Sequence, residues 1–283
     1  MKLSSGALRS WAFIAPALLW TIAFFVLPLF VMAVYSLWQR AGGRLLKSFS
    51  LINYEAFFGR DYFLDALLNS LEVTALTTVI SIFLAYPLAY ILAYRVPVRW
   101  QRLMLLLAIL PFWTSYVVRS YSWLLVLSEG GVINQVLLRL GMINVPVSLA
   151  NNRGATVVGF VHFFTMLLTL TIFASLVRIS PNYRKAAMDL GASRWQTFWH
   201  ITLPLSVPGV MVGAFLTFVL AIGDFITPQI LGGNQELLLP QAIMLQIQRR
   251  ADFPMASAMS MLLMVVITMV FLACARWLKM ERA

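Results

Sequence analysis

The sequence predicts an all-α integral membrane protein with six transmembrane helices and both termini cytoplasmic. Three observations predict it. Of 283 residues, 61% are hydrophobic and only 11% are charged, where a soluble domain has roughly 25% charged residues. The apolar residues gather into six runs, each long enough for the roughly 20 residues that cross a bilayer as a helix. The basic residues sit mostly in the polar breaks, more densely on one side, and that asymmetry orients a membrane protein. Mean hydropathy is +0.86. A single domain, 1–283, is expected.

Residues 1–10 carry Lys2 and Arg9 and no acid. The apolar run at about 11–38 exceeds the roughly 7–15 residues of a signal-peptide core, so it reads as an uncleaved first span. Pro16 and Pro28 can bend it, since neighbouring helices satisfy the freed backbone groups. Residues 39–68 form the first polar loop, and the second span covers about 69–94. Residues 95–102 hold Arg95, Arg99 and Arg102 without an acid, an inside turn. The third span, about 103–127, is interrupted at Pro111. A helix climbing from 102 to 119 rises roughly 25 Å, which brings Tyr116, Arg119, Tyr121 and Trp123 near the outer interface, where aromatic side chains concentrate.

Residues 128–153 make an outer segment in which GGVINQVLLRLGMI fits a short surface helix. The fourth span covers about 154–177. The fifth covers about 205–226, with Pro208 and Gly213 allowing a bend. Residues 227–253 form the third outer loop, containing Gly232-Gly233-Asn234. Asp252 and Pro254 open the sixth span, about 255–277. Twelve Lys and Arg fall in inside segments and eight in considerably longer outer segments, with Arg119 at a span edge. A net charge of +11 would suggest nucleic acid in a soluble protein. Here membrane topology accounts for it, so the expected surroundings are a lipid bilayer and no nucleic acid.

The stretch 180–204, SPNYRKAAMDLGASRWQTFWHITLP, is the longest polar interruption with helix signals of its own. Ser180 suits a helix cap and Pro181 the first helical position. Ala186 and Ala187 share a face with Leu190 and Gly191, and small residues permit close approach. Ser193 and Gln196 have capping-box spacing. Trp195, Phe198 and Trp199 add bulk, and Leu203-Pro204 closes the unit. Two short helices joined at Gly191-Ala192 are expected, on the cytoplasmic side, with Arg184, Lys185 and Arg194 against Asp189.

This stretch resembles the coupling-loop motif of bacterial ABC-importer permeases: E-A-A, three residues, G, a spacer, then I-x-L-P. Ala186, Ala187, Gly191, Ile201, Leu203 and Pro204 match it. Lys185 stands where the motif has Glu; a cation in the first turn opposes the helix dipole by a few tenths to about 1 kcal/mol. The resemblance implies a type I ABC-importer-like permease fold, with the loop seated in a cleft of an ATPase subunit. Lys185, Ala186, Ala187, Asp189, Gly191, Leu203 and Pro204 are then expected at that contact. NYEAFF at 53–58 resembles the N-Y-x-x-(x)-F stretch of the same permeases. PFWTSYVVRSYSWLLVL (111–127), GDFITPQILGG (223–233) and the segment 186–210 resemble the spermidine/putrescine branch. The implied function is the transmembrane subunit of an ATP-driven importer of polyamines or similar organic cations in the bacterial inner membrane. The implied partners are an ATPase pair that uses ATP and Mg, a second permease, non-identical to this one, and an extracytoplasmic solute-binding protein. The resemblance implies no cofactor and no catalysis on this chain.

No Gly-Lys pair, H-E-x-x-H, C-x-x-C or G-x-S-x-G occurs, and Cys274 is the single cysteine. An enzymatic reading therefore finds no motif. Asp224, near the outer end of the fifth span, fits two readings: a carboxylate facing a cation path, or a turn residue between Gly223 and Pro228. Glu72 fits a path residue or, with Asn69, a capping box at the start of the second span. Arg119 either snorkels to the interface or forms a gating ion pair with one of these acids. Tyr116, Trp123 and Phe225 fit cation–π walls or an interfacial belt. His162 reads as a hydrogen-bonded packing residue. A transporter of another class, driven by an ion gradient through Asp224, Glu72 and His162, is opposed by the lack of an inverted repeat and by acids at the edge of the spans. The resembled scaffold also serves importers of opines and amino-acid derivatives, and a non-transporting membrane assembly factor whose basic loops dock a partner is a further alternative.

Overall fold

The computed structural model describes residues 5–233 and 237–278. The expected basic flanks Lys2, Lys279 and Arg282 and the loop residue Asn234 lie outside the described residues. In chain order the helices are α1 (Ser5–Thr21), α2 (Leu27–Ser36), α3 (Ile52–Phe58), α4 (Asp61–Tyr94), α5 (Val98–Ile109), α6 (Tyr116–Leu127) and α7 (Val132–Arg139). There follow α8 (Arg153–Arg178), α9 (Pro181–Asp189), α10 (Arg194–Thr197), α11 (Leu203–Ile222), α12 (Ile226–Leu231), α13 (Leu239–Gln248) and α14 (Phe253–Leu278). Strands β1 (Gln39–Ala41) and β2 (Arg44–Leu46) form an antiparallel hairpin within the expected first loop. Its turn residues Gly42 and Gly43 both have positive φ, 57° and 76°, the backbone a two-residue type I′ turn requires.

Among the described residues, five helical stretches are long and apolar enough to cross a membrane: Phe13–Ser36, Asp61–Tyr94, Arg153–Arg178, Arg194–Ile222 and Phe253–Ala275. The segment expected as the third span is two helices, with the break at Pro111 where it was expected. α5 ends at Ile109, a 3₁₀ turn occupies Leu110–Trp113, and α6 begins at Tyr116. Pro111 has no N–H to donate, so the α ladder stops there.

Two other boundaries differ from expectation for physical reasons. α4 begins at Asp61, eight residues before the expected 69. Asp61 in its first turn complements the positive helix end, and Phe63 and Ala66 are buried. Asn69 and Glu72 therefore lie inside a helix, and the capping-box reading of Glu72 is wrong. Likewise Leu203-Pro204 does not close the cytoplasmic unit. A π-turn, Phe198–Thr202, carries α10 directly into α11 as one 29-residue stretch. The Leu203 N–H bonds to the Phe198 carbonyl, five residues back. This wider turn accommodates the ring of Pro204 and its missing N–H. The same device recurs before Pro28: a π-turn at Ile22–Val26, closed by the Leu27 N–H on Ile22.

The chain divides into two compact units. One comprises the residues up to Leu64 with Ile243–Val265. In it the NYEAFF segment ties the end of α2 down. Asn53 Nδ2 donates to the carbonyls of Ser36 and Trp38 at 2.8 and 2.7 Å. Tyr54 hydroxyl and Ser36 hydroxyl bond at 2.8 Å, and fully buried Phe57 stacks on Phe63 at 5.7 Å. Asp252 caps α14 by accepting from Met255 N at 3.1 Å.

The other unit, Asp65–Ala242 with the chain from Val266 onward, is built around α8. Asn152 caps that helix by accepting from Ala155 N at 2.9 Å. Val157, Phe160, Phe164, Leu168, Ile172 and Leu176 recur every three or four residues and are all buried, which is one helix face set into a core. Val73, Ala221 and Leu238 close that core at one end, and Ala85, Ala89 and Ile179 at the other. α11 packs against α8 through Gly209 and Gly213. A Cβ at Gly209 would sit 2.2 Å from Ser175 Cβ, and one at Gly213 2.2 Å from Thr171 Oγ1. Glycines four apart let two membrane helices approach this closely.

Candidate functional site

The loop 180–204 folds as two helices meeting at a corner, and each helix start is capped as expected. Ser180 Oγ accepts from Asn182 N, with Pro181 in the first turn of α9. Ser193 and Gln196 make the reciprocal capping box: Gln196 N donates to Ser193 Oγ at 3.2 Å and Ser193 N to Gln196 Oε1 at 2.8 Å. The corner is a Schellman motif. Ala192 N donates to Ala187 O at 2.9 Å and Gly191 N to Met188 O at 3.0 Å. This closure needs a left-handed residue at the position after the cap, and Gly191 has φ +86°. Lys185 is the fifth residue of α9, beyond the first turn, so the dipole penalty expected for it is largely absent. Ala186, Asp189 and Gly191 are exposed, and Ala187 is half-buried. Ala187 and Gly191 line a shallow cavity with Gln196 and His200. Leu203 and Pro204 continue into α11.

The substrate-path candidates divide into a cluster and an outlier. Tyr116, Arg119 and Trp123 lie three and four residues apart on one face of α6, and that face meets α8. Tyr116 hydroxyl donates to Asp224 Oδ2 at 2.6 Å. Asp224 Oδ1 accepts from Ile226 N at 2.8 Å, which caps α12. Asp224 is thus a turn residue whose second oxygen faces α6. α12 is held to α8 at Gly159, where a Cβ would strike Leu231 Cδ1 at 2.6 Å. The Arg119 guanidinium lies over the rings of Phe163, at 4.4 Å, and Tyr116, at 5.0 Å. Trp123 Nε1 donates to His162 Nδ1 at 3.0 Å, so the neutral ring carries its proton on Nε2. Arg119, Trp123 and His162 border a cavity of about 360 Å³ together with Thr114, Ser122 and Val126.

Glu72 is the outlier. Its carboxylate accepts from Arg153 Nη1 at 2.6 Å, and Arg153 Nη2 donates to Asn69 Oδ1 at 2.7 Å. Arg153 opens α8, nine residues before His162, roughly 14 Å along the helix axis. Phe225 is half-buried at the start of α12. The ring that joins Tyr116 in facing the Arg119 guanidinium is Phe163, which packs on Phe112 at 4.6 Å and on Tyr116 at 5.4 Å. Phe163 gave no distinguishing signal in the sequence, being one of many apolar residues in α8.

Residues 85–279 match the family described as the binding-protein-dependent transport system inner membrane component. The chain belongs to this family. The permease is 32% identical over 254 residues to the spermidine/putrescine transport system permease protein PotB of Escherichia coli (strain K12), covering 89% of this chain and 92% of that protein. The identity to PotB of Salmonella typhimurium (strain LT2) is also 32%, covering 89% and 88%. The inner membrane ABC transporter permease protein YdcU of Escherichia coli (strain K12) is 29% identical over 78% of the permease and 73% of its own length. A chain of the crystal structure of a bacterial alginate ABC transporter, in complex with alginate pentasaccharide-bound periplasmic protein, superimposes with a TM-score of 0.79. It covers 97% of the permease and 96% of that chain at 19% identity, which establishes the shared fold. The permease is a multi-pass bacterial inner-membrane protein of an ABC importer.

Proposed function

We propose that the permease is the non-catalytic transmembrane subunit of an ATP-driven importer for polyamines such as spermidine and putrescine, or for similar organic cations. The observation that carries this reading is 32% identity to spermidine/putrescine permease proteins across 89% of the chain. In this reading the chain crosses the membrane six times with both termini cytoplasmic, the broken α5–α6 segment being the third crossing. The 180–204 corner seats in an ATPase subunit that hydrolyses ATP. A second permease completes the path, and an extracytoplasmic binding protein delivers the cargo. The path runs beside Tyr116, Arg119, Trp123 and Asp224, where a cationic substrate competes with Arg119 for the field of the carboxylate. Glu72 and Phe225 flank its outer end.

Calorimetric titration of the cognate binding protein with spermidine and putrescine tests the substrate. Selective binding of either is expected, and selection of an anion rejects the polyamine assignment. Cysteine labelling tests the orientation in a Cys274→Ala background. Ser193→Cys should react only from the cytoplasmic side and Glu129→Cys only from outside; the reverse pattern overturns the topology.

A further inference from the structure

A second cavity, of about 310 Å³, opens where the end of α4, the coupling helix α9 and α10 converge. Its floor is aromatic: Tyr90 packs on Tyr94 at 5.0 Å and on Phe198 at 5.7 Å. Tyr94 hydroxyl donates to the Leu176 carbonyl at 3.1 Å, which fixes the ring against the end of α8. Arg184 stacks on that ring at 4.0 Å. Arg95 and Arg194 complete the rim, and no carboxylate is among the lining residues. Three guanidiniums around one cavity repel each other, and that arrangement favours an anionic occupant. A planar guanidinium presents paired N–H donors that match phosphate oxygens.

We infer that this cavity binds a phosphate-bearing anion, supplied by the headgroup of an anionic lipid in the cytoplasmic leaflet. The lipid is the favoured source because the cavity lies where the membrane-spanning helix α4 ends. The rings of Tyr90, Tyr94 and Phe198 give the cavity an apolar wall beside its basic rim, matching the mixed chemistry of a lipid headgroup and its acyl chains. Basic pockets between transmembrane helices on the cytoplasmic side recognise lipid headgroups in this way. Arg184 and Arg194 belong to the loop proposed to contact the ATPase, so a bound lipid would hold α9 against α4 and α10. The placement in the inner leaflet rests on the proposed orientation; the phosphate site does not depend on which substrate is transported.

The test uses the purified complete complex in nanodiscs of phosphatidylcholine with or without phosphatidylglycerol, and native mass spectrometry to count retained phosphatidylglycerol. Wild type should retain it. Arg184→Gln and Arg194→Gln should each lower its apparent affinity about fivefold, as expected for removing one basic residue near an anionic surface. Arg184→Lys should retain more than Arg184→Gln, which a merely structural role for the stacked guanidinium would not produce. Equal retention by wild type and the double variant overturns the site. Displacement of the lipid by millimolar inorganic phosphate overturns the lipid as its source. Loss of the ATPase subunit from the double variant in phosphatidylcholine alone reassigns the arginines to protein docking and also overturns the proposal.

Discussion

Two kinds of glycine organise the larger unit, and they are needed for opposite reasons. Gly209 and Gly213 sit where α11 meets α8, in ordinary helical backbone, with a neighbour 2.2 Å from where a Cβ would be. Gly191 sits at the α9–α10 corner with nothing within 4 Å of its Cβ position, but with φ +86°. The first pair supplies space and the second supplies a backbone angle. The seam is therefore sensitive to volume at any φ, and the corner is sensitive to φ at any volume. Membrane helices lack a hydrophobic drive toward one another, so close approach carries much of the seam's stability. The corner depends on the local chemistry of a helix end.

The comparison breaks first at the seam. Gly213→Ala should destabilise the purified complex by about 1–3 kcal/mol, the usual range for overpacking, read as a lowered thermal midpoint in detergent. Adding Thr171→Ala removes the nearest atom and should restore part of the loss, a coupling expected of residues in contact. If Gly213→Ala alone matches wild type, the α8–α11 packing is not as described.

At the polar seam, Tyr116→Phe removes a hydrogen bond to a carboxylate and should cost about 1.5–3 kcal/mol if the bond is made in full. Asp224→Asn keeps an oxygen for the Ile226 N–H, so its stability should fall by about 1 kcal/mol or less. Its uptake should nonetheless drop severalfold if the carboxylate attracts a cation, since 1.4 kcal/mol is about tenfold in affinity. Uptake per assembled complex that matches wild type would leave Asp224 as a turn residue alone.

The corner separates angle from bulk. Gly191→Val forces a branched residue into the left-handed region at about 1–2 kcal/mol, whereas Gly191→Asn tolerates that region and should be nearly neutral. ATPase stimulation by loaded binding protein should follow the same order, with Gly191→Trp the weakest because it adds bulk to strain. Equal stimulation in all three variants would remove the corner from coupling. The smallest effect belongs to Glu72→Gln. Its pair with Arg153 leaves the glutamate side chain 64% exposed, so the loss should be about 0.2–1 kcal/mol, shrinking further in high salt.

What the sequence made legible follows from range. The caps at Ser180 and Ser193 and the helix junction at Gly191-Ala192 depend on residues within a few positions, so composition and spacing reveal them. Pro111 marked a break for the same reason. Tyr116 and Asp224 are 108 residues apart, and Glu72 and Arg153 are 81 apart; no local rule pairs them. The capping-box spacing of Asn69 and Glu72 misled because burial of Phe63 and Ala66 extended α4 upstream. Leu203-Pro204 misled because a π-turn carries α10 past the proline into α11 without a break. Gly209 and Gly213 do carry a visible signal, four residues apart in an apolar run, but the same glycine also fits the bend expected at Gly213, and only the partner helix distinguishes the two.

The most direct measurement is uptake of labelled spermidine by proteoliposomes containing the permease, its ATPase, the second permease and the binding protein. The account predicts accumulation that requires both ATP and the binding protein and that collapses in Gly191→Trp. Accumulation by the permease alone, driven by an imposed ion gradient without ATP, would contradict it.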